Sequence, residues 1–167
     1  MTMFTAISVI GSGNCTAKQA KMAEEVGFLL GSRKVVVICG GQGGVMQAVS
    51  KGVRKAGGLT IGILPGLDAG AGNKYLSLAI PTGLGQVRNA IVAHAGQAVI
   101  AIGGSYGTLS EISFARKAGR RVIGLETWSA EEPDGSQLDI EYANDPKEAV
   151  RMSLDSQNSS DKESIAK

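Results

Sequence analysis

Ala98-Val99-Ile100-Ala101-Ile102-Gly103-Gly104-Ser105-Tyr106-Gly107-Thr108-Leu109-Ser110-Glu111 is the stretch on which the reading of the fold turns. Its first five residues are an unbroken apolar run, the pattern of a strand buried on both faces. Two glycines then permit a sharp turn. Leu109, Ile112 and Ala115 follow at helical spacing. The same unit of strand, glycine-rich turn and helix occurs twice upstream. Residues 6–10 lead into Gly11-Ser12-Gly13-Asn14 and a helical pattern over about residues 16–30. Residues 35–39 lead into Gly40-Gly41-Gln42-Gly43-Gly44, after which Val45, Val49, Val53 and Ala56 recur at helical spacing. Residues 59–64, ended by Pro65-Gly66, read as a third strand, residues 76–80 as a weaker fourth, and residues 122–125 as a sixth after the run at 98–102. Val87, Ile91, His94 and Ala95 share one helical face between the fourth and fifth strands.

Continuous apolar strands alternating with helices specify an α/β fold, a parallel sheet covered on both faces. Right-handed crossovers then give a Rossmann-like, doubly wound sheet in a single domain. The domain is expected over residues 1–152. Its last helix starts at Asp145-Pro146-Lys147-Glu148, with Asp145 as N-cap, Pro146 in the first turn and Glu148 at the capping-box position. Residues 128–142 are acidic and rich in turn formers, and the polar, serine-rich residues 153–167 read as a disordered tail.

At 167 residues the chain is the size of one domain and can bury roughly 70% of its unfolded surface, enough for a core without disulfides. A net charge of +2 with no basic cluster argues against nucleic acid and membrane surfaces as partners. No apolar run reaches the ~20 residues of a membrane span. The two cysteines, Cys15 and Cys39, and the absence of a secretory leader pattern fit a cytoplasmic protein. With a single histidine and no cluster of ligating side chains, a metal site is not expected.

In an open α/β sheet ligands bind beyond the carboxyl ends of the strands, and all three glycine-rich loops belong to that edge. Each ends at a helix N-terminus, where unpaired N–H groups and a partial positive charge favour an anion such as phosphate. The candidate ligand-binding residues are therefore Gly11, Ser12, Gly13, Asn14, Gly40, Gly41, Gly43, Gly44, Gly103, Gly104, Ser105, Tyr106, Gly107 and Thr108. A nicotinamide dinucleotide is disfavoured: Thr16 stands where the fingerprint has its third glycine, and the second strand ends in Cys39-Gly40-Gly41 with no acidic residue for a ribose. No Gly-Lys-Ser/Thr follows any of the turns, which excludes a Walker loop.

Glu111 has two readings. Thr108-x-x-Glu111 matches a capping box, and the carboxylate is also positioned to accept hydroxyl hydrogen bonds or act as a general base beside a bound phosphate or ribose. Arg88, close to Val87 and Ile91, is either a solvated or ion-paired residue or a bidentate partner for Glu111 or the phosphate. His94 reads as a satisfied core histidine. Cys15 and Cys39 read as small packing residues, and Tyr106 as a stacking platform or a loop cover.

Arg88-Asn89, Gly40-Gly41-Gln42-Gly43-Gly44 and the run Gly103–Glu111 resemble the LOG-type Rossmann superfamily, whose members often carry a lysine decarboxylase label. Within it the chain is most similar to the branch that contains the molybdenum cofactor carrier protein, over about residues 7–125. The resemblance implies one of two roles. LOG enzymes are phosphoribohydrolases that cleave the N-glycosidic bond of nucleoside 5′-monophosphates, with motif residues matching Arg88 and Glu111. The carrier branch binds the phosphorylated pterin of the molybdenum cofactor without known turnover. The ligand is then the molybdenum cofactor or a nucleotide monophosphate held at the loops and at Arg88, Asn89 and Glu111, with no cofactor required. Both groups form homodimers or homotetramers. Two departures from the LOG pattern, Ile102 in place of proline and Asn89 in place of lysine, weaken the hydrolase reading and leave the carrier reading ahead. Lysine decarboxylation would need pyridoxal phosphate on a Schiff-base lysine, for which no pocket motif exists.

Overall fold

The computed structural model describes residues 5–155. Seven strands form one sheet: β1 (Ala6–Gly11), β2 (Val36–Cys39), β3 (Thr60–Leu64), β4 (Leu78–Pro81), β5 (Ala98–Ile102), β6 (Arg121–Leu125) and β7 (Glu141–Tyr142). Every neighbouring pair is parallel. The order β4-β3-β2-β1-β5-β6-β7 reverses direction between β1 and β5, which makes the sheet doubly wound.

Five helices cover it: α1 (Ala17–Ser32), α2 (Val45–Lys55), α3 (Asn89–Ala95), α4 (Tyr106–Lys117) and α5 (Pro146–Asp155). Because successive side chains of a strand point to opposite faces, the core falls into two layers. Ile7, Val9, Val37, Ile100 and Ile102 meet α1, α2 and α5. Ile10, Ile38, Ile63, Val99 and Ala101 meet Val92 and Ala93 of α3 and Ile112 and Ala115 of α4. No helix of the described residues is long and apolar enough to cross a membrane.

Local chemistry sets the helix ends. Thr16 caps α1, its hydroxyl accepting from the Gln19 N–H at 3.1 Å while the Gln19 side chain accepts from the Thr16 N–H at 3.0 Å. Asp145 caps α5 as expected, accepting from the Glu148 N–H at 2.8 Å. Glu148 reaches one residue further out than the expected box, to the N–H of Asn144 at 2.8 Å.

Three expectations are corrected. The acidic segment adds a seventh strand, β7, which pairs with β6 through Ile123–Glu141 and Gly124–Tyr142. The tail does not start at Ser153: that residue is buried in α5, which continues to Asp155, because Arg121 ties down its last turn by donating to the Met152 carbonyl. The rest of the expected tail lies outside the described residues. The face of Val87, Ile91 and His94 points outward, and the core side of this segment is Arg88, Asn89, Val92 and Ala93. His94 is thus an exposed residue and not a core histidine. Helical periodicity picked out the apolar stripe, but the more polar stripe of Arg88 and Asn89 is the buried one, because it faces the cleft at the strand ends.

Candidate functional site

The reversal point between β1 and β5 sends α1 to one face of the sheet and α4 to the other, opening a crevice at the carboxyl edge. On the α3/α4 side this crevice widens into a cleft of about 490 Å³, within the range of small-molecule sites. Gly13, Gln42, Met46, Gln86, Arg88, Asn89, Ser105, Tyr106, Gly107, Ser110 and Glu111 line it. The groove between α1 and α2 is of similar size, about 440 Å³, but its Glu24 is already held by Lys51 and Lys55.

Arg88 ends a short 3-10 turn (Gly85–Arg88) and is 4% exposed. Its guanidinium lies where the second loop has no side chain: a Cβ on Gly40 would stand 2.3 Å from Nη1. Nη2 donates to the Gln42 side-chain oxygen at 3.2 Å. Nε and Nη1 are buried and have no hydrogen-bond partner. The nearest carboxylate oxygen, Oε1 of Glu111, is 3.8 Å from Nη1, an ion pair too long for a hydrogen bond. A buried arginine with two unmet donors carries a cost that an incoming anion would relieve.

Glu111 lies in the second turn of α4 and is 6% exposed. Burial pushes its carboxyl up to about 7, the neighbouring Arg88 acting in the opposite direction. Burial likewise pulls the Arg88 guanidinium below its ordinary value, with Glu111 opposing. The capping-box reading of Glu111 is overturned. α4 starts at Tyr106 with Ser105 as N-cap, so the third helical position is Thr108, whose hydroxyl accepts from the Ser105 N–H at 3.3 Å. Glu111 sits three residues too deep to reach the cap.

The loops meet through close backbone approaches. Gly44 has φ 61°, and a Cβ there would fall 2.3 Å from the Ser12 carbonyl, so the second loop locks onto the first only as glycine. The Val45 N–H donates to that same Ser12 carbonyl at 3.0 Å. Asn73 braces the second loop from outside, its amide donating to the carbonyls of Gly41 and Gln42.

Of the candidate residues, Gly13, Arg88, Asn89, Ser105, Tyr106, Gly107 and Glu111 come together in the cleft. Gly11, Gly40, Gly41, Gly44 and Thr108 stand behind it. Gly103 and Gly104 turn away, packed on Gln19 and Trp128, beside a separate depression of about 410 Å³. Trp128 donates from its indole to the Ser105 carbonyl at 3.1 Å, and its ring lies 6.1 Å from that of Tyr106. Ser12, Asn14 and Gly43 do not line the cleft. Sequence reasoning missed Gln42, Met46, Gln86 and Ser110. Gln42 stood inside a quoted glycine loop and was findable; the other three had no signal apart from position. Asn89, which replaces the expected cation, spends its amide on the Ser110 hydroxyl at 3.3 Å. Cys39 is buried behind Arg88, and burial pushes its thiol up, so it is a packing residue as read. Among the described residues no three His, Cys, Asp or Glu side chains cluster to hold a metal ion.

A family model described as the SLOG cluster4 family matches residues 4–150. The chain belongs to the SLOG cluster4 family. This SLOG cluster4 protein is 42% identical over 120 residues to an uncharacterized protein of Archaeoglobus fulgidus, covering 72% of this chain and 79% of that one. Its fold is similar to the molybdenum cofactor binding protein of Rippkaea orientalis, with TM-score 0.81, 31% identity, and 91% and 96% of the two chains covered. It is also similar to the molybdenum cofactor carrier protein of Chlamydomonas reinhardtii, with TM-score 0.79, 30% identity, and 92% and 99% covered. The fold class and the branch expected from the motifs are therefore those of the protein.

Proposed function

We propose that the cleft binds a phosphorylated ligand with a flat heterocycle, in the manner of a molybdenum cofactor carrier. The observation that carries this reading is Arg88: a buried cation with two unmet donors on the cleft wall, close to the start of α4. An anion placed there would take hydrogen bonds from Nε or Nη1 and from the first-turn N–H groups of Tyr106 and Gly107. The donors and acceptors of Gln42, Gln86, Asn89 and Ser110 suit the edge of a pterin or a base, and Tyr106 offers a ring to stack on it. These residues fit the phosphate and pterin ends of the cargo. No thiolate or imidazole lines the cleft, so the protein would hold the organic part and leave the metal to its own ligands.

The test is binding by calorimetry of nucleoside 5′-monophosphates, and of the molybdenum cofactor extracted from a molybdoenzyme, to wild type and Arg88→Gln. Cofactor binding that Arg88→Gln weakens by roughly 10-fold or more supports the reading. Equal binding by both proteins, or none by wild type, overturns it.

A second reading, nucleotide phosphoribohydrolase, draws on Glu111, a carboxyl near 7 within 3.8 Å of Arg88. Such a group can hold or take a proton at neutral pH. Release of free base and ribose 5-phosphate from a nucleoside monophosphate, stopped by Glu111→Gln, would decide for it. The loss of a second cation at Asn89 ranks it behind the carrier reading.

A further inference from the structure

The wall of the cleft is polar almost throughout. Met46, in the first turn of α2, is the only aliphatic side chain among the described residues that line it. Its thioether lies against the unmet arginine. A Cβ on Gly40 would stand 2.3 Å from Nη1 of Arg88 and 2.6 Å from Sδ of Met46, so sulfur and guanidinium are neighbours around one small gap that a side chain at position 40 would fill. Nη1 is one of the two buried Arg88 donors without a partner, and a thioether is too weak an acceptor to satisfy it. Met46 is 6% exposed and lines the cleft, which gives a molecule the size of a peroxide access to it. Met22 and Met152 pack against the core and do not line the cleft.

We propose that Met46 is a reversible oxidation site that closes the cleft to anions, its sulfoxide oxygen taking the Arg88 donor that a ligand's phosphate would otherwise take. The oxidant is a peroxide. A sulfur lone pair attacks one peroxide oxygen, and the S–O bond forms as the O–O bond breaks. The departing hydroxide takes the proton of the transferred oxygen and leaves as water. Sulfur is oxidised by two electrons and the peroxide reduced by two. The product suits the place where it forms. A sulfoxide oxygen in an apolar core lacks a partner and costs stability. At Met46 it meets a buried donor that has none. The anion then finds one donor fewer and a polar group in its way, until reduction of the sulfoxide restores the thioether. Only this effect on binding rests on the reading that the cleft takes a phosphorylated ligand; the oxidation and the bond to Arg88 do not.

The test treats the full chain with hydrogen peroxide and follows each methionine by peptide mass spectrometry. Met46 is expected to gain one oxygen, and saturating adenosine 5′-monophosphate to slow this at Met46 and not at Met22 or Met152. In calorimetry oxidised wild type should bind the nucleotide at least ~10-fold more weakly and recover after treatment with methionine sulfoxide reductases. Met46→Leu, whatever its affinity, should be insensitive to peroxide. A Met46 that stays a thioether while Met22 and Met152 are oxidised overturns the proposal. So does an affinity that oxidation leaves unchanged, or a loss that Met46→Leu shares. A comparison without ligand separates this proposal from the reading of the cleft. Peroxide should lower the urea midpoint of wild type less than that of Arg88→Leu, which offers the sulfoxide no donor. If wild type binds no nucleotide, the binding role fails and the urea comparison alone decides: equal falls overturn the oxidation site, and a smaller fall in wild type upholds it.

Discussion

Replacing Glu111 by Gln should change how stability depends on pH. The carboxyl is held at about 7 in the folded protein against an ordinary 4.5, because it is buried and Arg88 only partly compensates. Between these values the native state keeps a proton that the unfolded chain has lost, so stability falls as pH rises through the window. The difference of about 2.5 pK units corresponds to about 3 kcal/mol. The substituted carboxamide is isosteric with the protonated acid and does not titrate. The stability of Glu111→Gln relative to wild type should therefore rise by about 3 kcal/mol from pH 4.5 to above pH 7 and be flat outside that range. Other carboxylates titrate in both proteins and cancel in the comparison. The effect of Arg88 is already contained in the shifted value. Urea melts of both proteins across this range measure the difference. Two parallel stability curves would mean that Glu111 titrates near 4.5, and would refute the burial argument.

Further consequences follow for the same cleft and its frame. Bound phosphate should push the Glu111 carboxyl higher still, so affinity for a nucleoside monophosphate should rise from pH 8 to pH 6; calorimetry in buffers of different ionisation heat would show the proton taken up. Arg88→Gln removes a charge-assisted contact and should weaken phosphate binding by roughly 10- to 100-fold, read by the same titration. Gly44→Ala sets a side chain at φ 61° with its Cβ 2.3 Å from the Ser12 carbonyl. It should cost at least ~2 kcal/mol in a denaturant melt. Thr16→Ala removes the α1 cap and should cost ~1 kcal/mol by the same measurement.

Much of the site was legible because glycine loops announce themselves. Gly13 and Ser105 sit on turns whose position after a strand and before a helix follows from periodicity, Gly107 opens the helix that follows, and that placement brings them to one edge. The errors arose where a local pattern had two solutions. Thr108-x-x-Glu111 satisfies a capping box, but so does the frame starting at Ser105, and the indole of Trp128 bonding the Ser105 carbonyl favours the earlier frame. The helix at residues 85–95 has one apolar and one mixed stripe. Periodicity alone assigns the apolar one to the core.

By itself, then, the sequence determined the alternation of strands and helices, the doubly wound sheet and the edge at which its loops gather, because these depend on local periodicity, backbone freedom and chain connectivity. Tertiary structure alone decided that Arg88 is buried with unmet donors, that Glu111 stands 3.8 Å from it with a carboxyl near 7, and that Leu78, Ile80, Val87 and Ile91 stay outside. Burial and desolvation are properties of the packed whole: a side chain's pattern names the stripe it belongs to, and only the neighbouring elements determine whether that stripe meets protein or water.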